Sequence, residues 1–232
     1  MEYQNFHCEI AEGCARVSLI GPGAPEMGAF CDEFTDLMLR LQEDGAVRVV
    51  ILTDGDHSFD LHHNVDEIAE VHLKGEGFEM LAADEEIGRR IVTLIQESTK
   101  PVVAATRGEI RHLGFGLFMA ADIRIASTNA TFTAPDMAGG LLPGWGLTHT
   151  LPLLMGPGRS LEFLLSGRTL NAPEAYSHGM IDRLIDDNSW EEDLDTFTDR
   201  LRHLPQPAVQ LVKLGVQQAN DFDFTTMLSL EW

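Results

Sequence analysis

Residues 100–146, KPVVAATRGEIRHLGFGLFMAADIRIASTNATFTAPDMAGGLLPGWG, decide how the rest of the chain is read. Pro101 is followed by the apolar run Val102-Val103-Ala104-Ala105, the pattern of a buried strand. Residues 107–112 read as a polar loop, and residues 113–121, small and apolar throughout, as a buried helix. Asp122-Ile123-Arg124-Ile125-Ala126 returns as a strand. The segment ends in a loop with one carboxylate, Asp136, and a glycine- and proline-rich turn over residues 139–146. A strand that leads through a loop into a helix start exposes unpaired backbone N–H groups, and these favour developing negative charge. A carboxylate on the next loop can move protons beside that charge.

The flanks extend the same alternation. Residues 7–20 predict two short strands around a Glu12-Gly13 turn. Residues 30–43 place Phe30, Phe34, Leu37, Met38 and Leu41 on one helical face. The β-branched run of residues 47–53 predicts a strand buried on both sides of a parallel sheet. Strand, helix and strand thus follow one another, which places the chain in the α/β class. The polar stretch 54–64, DGDHSFDLHHN, reads as a loop at a strand's carboxyl end, where such folds bind ligands. Residues 65–71 and 80–96 read as helices, as do 147–155 and 159–166. Asn171 and Glu174 stand three apart as the N-cap and capping-box positions of a further helix, which Gly179 ends. A last strand is expected over 181–185, and helices over 191–202 and 208–219. The expected organisation is a core over residues 1–190 followed by a helical region over 191–232.

Composition excludes several classes. The 232 residues are 44% hydrophobic and carry a formal net charge of −21, so the chain is globular and ill suited to nucleic acid or an anionic membrane. Cys8, Cys14 and Cys31 are odd in number and lack metal-ligand spacing, which fits reduced thiols in the cytoplasm. No metal is expected. The adjacent His62 and His63 have no further ligand at metal spacing and read as surface or pocket-lining residues.

Several pieces together resemble the crotonase, or enoyl-CoA hydratase/isomerase, superfamily: VRVVILTDGDHSF, KPVVAATRG, AADIRIAS, ATFTAPDMAGGLLPGWG and GRSLEFLLSGRTLNAPEAYSHGMID. They occur in the family's order across most of the chain. The resemblance implies a crotonase-like ββα spiral core with C-terminal helices, assembled as a homotrimer or hexamer. It also implies an acyl-CoA substrate, with coenzyme A entering as part of that substrate rather than as a cofactor. In this chemistry two backbone N–H groups hold a thioester oxygen as it becomes an enolate, and carboxylates move the protons.

Carried over position by position, the first N–H donor falls on His63, with His62 replacing the usual glycine before it. The second falls on Leu113, within Arg111-His112-Leu113-Gly114, where the family commonly has glycines. The position of the first catalytic glutamate holds Gly116. The second holds Asp136, one methylene shorter, which is the candidate catalytic residue. His62, His112, Gly114, Gly116 and Trp145 are candidates for lining the pocket. Glu231 lies where some members carry a late glutamate, and His149 reads as structural. A single carboxylate suits double-bond isomerisation better than hydration, which uses two proton-handling groups. Two alternatives stand beside this reading: a CoA-independent β-diketone hydrolase similar to 6-oxocamphor hydrolase, and a binding or assembly subunit without catalysis. The nearest basic residues in sequence for coenzyme A phosphates are Lys74, Arg107 and Arg111.

Overall fold

The computed structural model of the chain describes residues 3–20, 25–55, 59–61, 77–135 and 143–230. Strands β1 (Phe6–Ala11), β2 (Cys14–Leu19), β3 (Val49–Thr53), β5 (Val102–Thr106), β7 (Ile123–Ser127) and β10 (Arg183–Ile185) form the larger sheet, in the order β1-β2-β3-β5-β7-β10. The β1-β2 pair is the expected antiparallel hairpin, and the remaining neighbours are parallel. Its turn uses left-handed backbone at Glu12 and Gly13, with φ of 50° and 85°, the conformation that two-residue hairpin loops require.

The apolar run of β3 is explained by burial on both faces. Val50 and Leu52 enter the main core with Val102 and Ala104. Val49 and Ile51 point the other way and join Val103, Ala105 and Ile125 under Trp190 and Leu194. Helices cover both sides. Helix α1 (Met27–Glu43) turns Phe30, Phe34, Leu37, Met38 and Leu41 inward, as its spacing predicts. The Glu26 carboxylate caps its start by accepting from the N–H groups of Gly28 and Ala29. The buried Lys100 ammonium donates to the carbonyls of Leu41 and Asp44 at its end.

Helix α2 (Gly77–Gln96) packs on α1, and helix α3 (His112–Met119) is buried from Gly114 to Met119. Helices α4 (Leu147–Met155), α5 (Pro157–Ser166) and α6 (Ala172–Ser177) follow. Asn171 caps α6 by accepting from the Glu174 N–H at 2.9 Å, as expected. The chain continues into α7 (Trp190–Arg202), α8 (Gln206–Gln217) and α9 (Phe224–Leu230). Helix α9 was not anticipated by the sequence pattern. The expected helix over 65–71 lies outside the described residues.

A second sheet corrects the expectation of polar loops at residues 59–61 and 109–111. Strands β4 (Phe59–Leu61), β6 (Glu109–Arg111), β8 (Thr131–Thr133) and β9 (Thr169–Asn171) pair in the order β4-β6-β8-β9. Each is three residues long, too short to show a two-residue period in sequence. Each nevertheless buries an apolar side chain, Phe59, Ile110, Phe132 and Leu170 in turn, and the aromatic ones meet a ring of α3. The Phe59 and Phe118 rings lie 5.6 Å apart, Phe118 and Phe132 5.7 Å, and Phe115 and Phe163 5.8 Å. The three cysteines are free, and no helix among the described residues is long and apolar enough to cross a membrane.

Candidate active site

The small sheet sets side by side the strands that precede the candidate residues in sequence. β4 and β6 run parallel with Phe59 beside Ile110 and Asp60 beside Arg111. A further bridge pairs Leu61 with His112. The next residues in sequence are His62 and His63 after Leu61, and Leu113 after His112. The two segments expected to carry N–H donors therefore leave the ends of neighbouring parallel strands. β8 pairs parallel to β6 on its other side, with Thr131 beside Glu109 and Phe132 beside Ile110. It runs through the buried Ala134 and Pro135 toward Asp136. His62, His63 and Asp136 themselves lie outside the described residues, as does Glu231.

Leu113 sits in the first turn of α3, where N–H groups have no intrahelical acceptor. No side chain at the N-cap, Arg111, takes one of them up. His112 enters the helix at φ 52°, a left-handed conformation that costs a residue with a β-carbon roughly 1–2 kcal/mol. His112 and Leu113 are half-buried, whereas Gly114 and Gly116 are fully inside. His149, read as structural, is exposed near the start of α4.

Trp145 occupies the space over Gly116. A β-carbon placed on Gly116 would stand 2.4 Å from the Trp145 Cβ, and one on Gly88 of α2 would stand 2.2 Å from its Cδ1. Neither position accepts a side chain while the indole is there. Gly116 therefore does more than lack a carboxylate, because the volume a side chain would use is filled. Trp145 is 8% exposed and has φ 55°, and its Nε1–H has no hydrogen-bond partner among the described residues. A buried donor left without an acceptor costs about 1–3 kcal/mol. A glycine inside a helix costs about 1 kcal/mol relative to alanine. Sequence reasoning named Trp145 and Gly116 separately and missed that they form one contact. The signal was a glycine inside each of two otherwise well-formed helices.

Asp54, which sequence reasoning did not single out, braces the approach to β6. It follows β3 and is 3% exposed. Its Oδ2 accepts from the Thr106 hydroxyl at 2.6 Å and from the N–H groups of Arg107 and Gly108 at 3.0 and 3.1 Å. Burial pushes its pKa up, against the lowering effect of these bonds. An acid whose pKa rises on folding holds its proton more firmly in the native state. Its contribution to stability is thus greatest at low pH and is lost as pH climbs above the ordinary carboxylate range. All three donors meet one oxygen, so Asp54→Asn can keep them with its carbonyl. Urea unfolding at pH 5 and pH 8 should show Asp54→Asn gaining on the parent protein as pH rises. Asp54→Ala strands the Thr106 hydroxyl and the Arg107 N–H, the Gly108 N–H keeping the Thr106 oxygen at 3.2 Å, and should lose at least ~2 kcal/mol at either pH.

The basic residues near these loops already face carboxylates. Arg107 makes a two-pronged ion pair with Asp187 at 3.1 and 3.2 Å, and Arg111 lies 3.5 Å from Glu109. Lys74 lies outside the described residues. A cavity of about 690 Å³ lies elsewhere, between β1, β2 and α7, lined by Cys14, Arg16, Asp195 and Arg202 among others. It contains none of the candidate residues.

Comparison with known proteins bears on this arrangement. The enoyl-CoA hydratase/isomerase family matches residues 25–231. A crotonyl-CoA hydratase of Syntrophomonas wolfei is 30% identical over 236 residues, covering 100% of this chain and 88% of that protein. A 1,2-epoxyphenylacetyl-CoA isomerase of Escherichia coli is 26% identical, covering 100% of this chain and 88% of its own length. The crystal structure of an enoyl-CoA hydratase from Bacillus anthracis superposes with a TM-score of 0.87 at 26% identity, over 98% of this chain and 88% of that one. The chain belongs to the enoyl-CoA hydratase/isomerase family.

Proposed function

We propose that this member of the family acts on an acyl-CoA thioester through an enolate, with one carboxylate carrying the proton, and that it moves a double bond rather than adding water. Asp136 takes a proton from the carbon next to the thioester carbonyl. The electron pair passes to the carbonyl oxygen, which accepts hydrogen bonds from the N–H groups of His63 and Leu113. Asp136 then returns the proton at the far end of the allylic system, and the double bond comes into conjugation with the carbonyl. Donors fixed in advance stabilise such an oxyanion most strongly where water is excluded, and losing one typically costs about 10²–10³ in rate.

The observation that supports this reading is the Leu61–His112 bridge, because it pairs the residue before His62 with the residue before Leu113 at the start of α3. The Trp145 indole over Gly116 supports the preference for isomerisation. It fills the space that a side chain at residue 116 would use, so that position cannot carry the second proton-handling group that hydration uses. Exposed apolar side chains on α8 and α9, among them Leu211, Val216 and Phe224, support assembly as a homotrimer or hexamer, which sedimentation would size.

The test is a panel of short enoyl-CoAs that differ in double-bond position. Conversion of a 3-enoyl-CoA to the conjugated 2-enoyl-CoA, followed by ultraviolet absorbance, is the expected result. Water addition to 2-enoyl-CoA without isomerisation would replace this assignment by a hydratase. Turnover of a free β-diketone with no thioester turnover would replace it by the hydrolase alternative.

A further inference from the structure

We propose that Trp145 sets the acyl chain length this protein accepts, by filling the space beneath the α3 donor turn that a longer chain would enter. The inference rests on the acyl-CoA reading above and adds to it the size class of the substrate.

Gly116 lies one turn along α3 from Leu113, so residues 113 and 116 share a helix face. The indole lies directly on that face and reaches across to Gly88 on α2. It is thus wedged between two helices at the level just below the candidate carbonyl-binding N–H. Several local rules are broken together here: a tryptophan at positive φ, an indole N–H without an acceptor among the described residues, and a glycine inside each of the two helices it touches. The indole packs within the main core, but apolar packing alone does not call for a positive φ, an unpaired N–H and a helix glycine at each contact. Strain gathered at one point in this way marks a functional site more often than a packing accident. A rigid aromatic wall at this place limits how far an acyl chain can reach without bringing in a charge. The acyl group that fits above it is short.

Calorimetric titration of butyryl-CoA and octanoyl-CoA into the parent protein, Trp145→Phe and Trp145→Ala tests the idea. Removing the indole should open an apolar cavity on the order of 150 Å³, large enough for a benzene-sized group. The affinity ratio of octanoyl-CoA to butyryl-CoA is expected to rise about tenfold or more in Trp145→Ala, with a smaller rise in Trp145→Phe. Circular dichroism melting identifies variants that remain folded. If Trp145→Ala does not fold, the phenylalanine variant decides alone. A ratio unchanged within about twofold in a folded variant would make the indole core packing only and overturn the proposal, leaving the acyl-CoA reading intact. A parent protein that binds neither thioester would overturn both.

Discussion

Asp136→Asn is expected to lower kcat on a 3-enoyl-CoA by about 10²–10⁴-fold, the usual contribution of a positioned acid–base group. The amide keeps the size of the carboxylate but cannot take the proton. Thioester affinity should change little, because in the proposed mechanism binding rests on the N–H donors and the apolar wall rather than on this carboxylate. A fall in kcat at nearly constant Kd is the mark of a group that acts in the transition state. Steady-state kinetics beside calorimetry of a saturated acyl-CoA separates the two quantities. A loss smaller than about tenfold would remove Asp136 from proton transfer. Asp136 follows β8 by three residues in sequence, and β8 itself runs beside β6, the strand that leads into Leu113.

Lys213→Ala should be the most destabilising single change in the C-terminal region. The Lys213 ammonium lies 2.8 Å from the Asp122 carboxylate, and their side chains are 9% and 17% exposed. Lys213 also donates to the carbonyls of Ile95 and Lys100 at 3.0 and 3.2 Å. Asp122 in turn accepts from the Val102 N–H at 2.8 Å. This one ion pair therefore joins α8 to the end of α2 and the start of β5. Burial pushes the Asp122 carboxyl up and the Lys213 ammonium down, because both groups gave up hydration. Removing one partner leaves the other charge buried and alone, at a cost of about 3–5 kcal/mol. Denaturant unfolding of Lys213→Ala, Asp122→Asn and the double variant would measure it. The double variant should lose clearly less than the sum of the two single losses, because the stranded charge is gone. Purely additive losses would mean that the pair contributes nothing beyond its separate hydrogen bonds.

The larger sheet and its helices were legible because their residues repeat. Residues 49–53 are continuously apolar since both faces of β3 are buried, and Phe30, Phe34, Leu37 and Leu41 mark α1 by their spacing. The small sheet was not legible. β4, β6 and β8 are each three residues long and stay put through Phe59, Ile110 and Phe132 packed around α3. Those contacts are distant in sequence, and a period-based reading cannot see them. The candidate site shows the same division. The order of motifs located Leu113, Gly116 and Trp145 as separate points, whereas the indole wedged over Gly116 and Gly88 exists only in three dimensions. Asp54 looked like an ordinary loop aspartate until its three donors, all from residues 106–108, came into view.

The central claim is that this site holds a CoA thioester as its enolate forms. Calorimetric titration of the parent protein with acetoacetyl-CoA, an enolisable thioester, and with free coenzyme A tests it most directly. The account predicts a Kd near ~1 μM for acetoacetyl-CoA, about −8 kcal/mol, clearly tighter than for coenzyme A alone and retained in Asp136→Asn. No detectable heat with acetoacetyl-CoA at about 1 mM, the range of a −4 kcal/mol interaction, would contradict it.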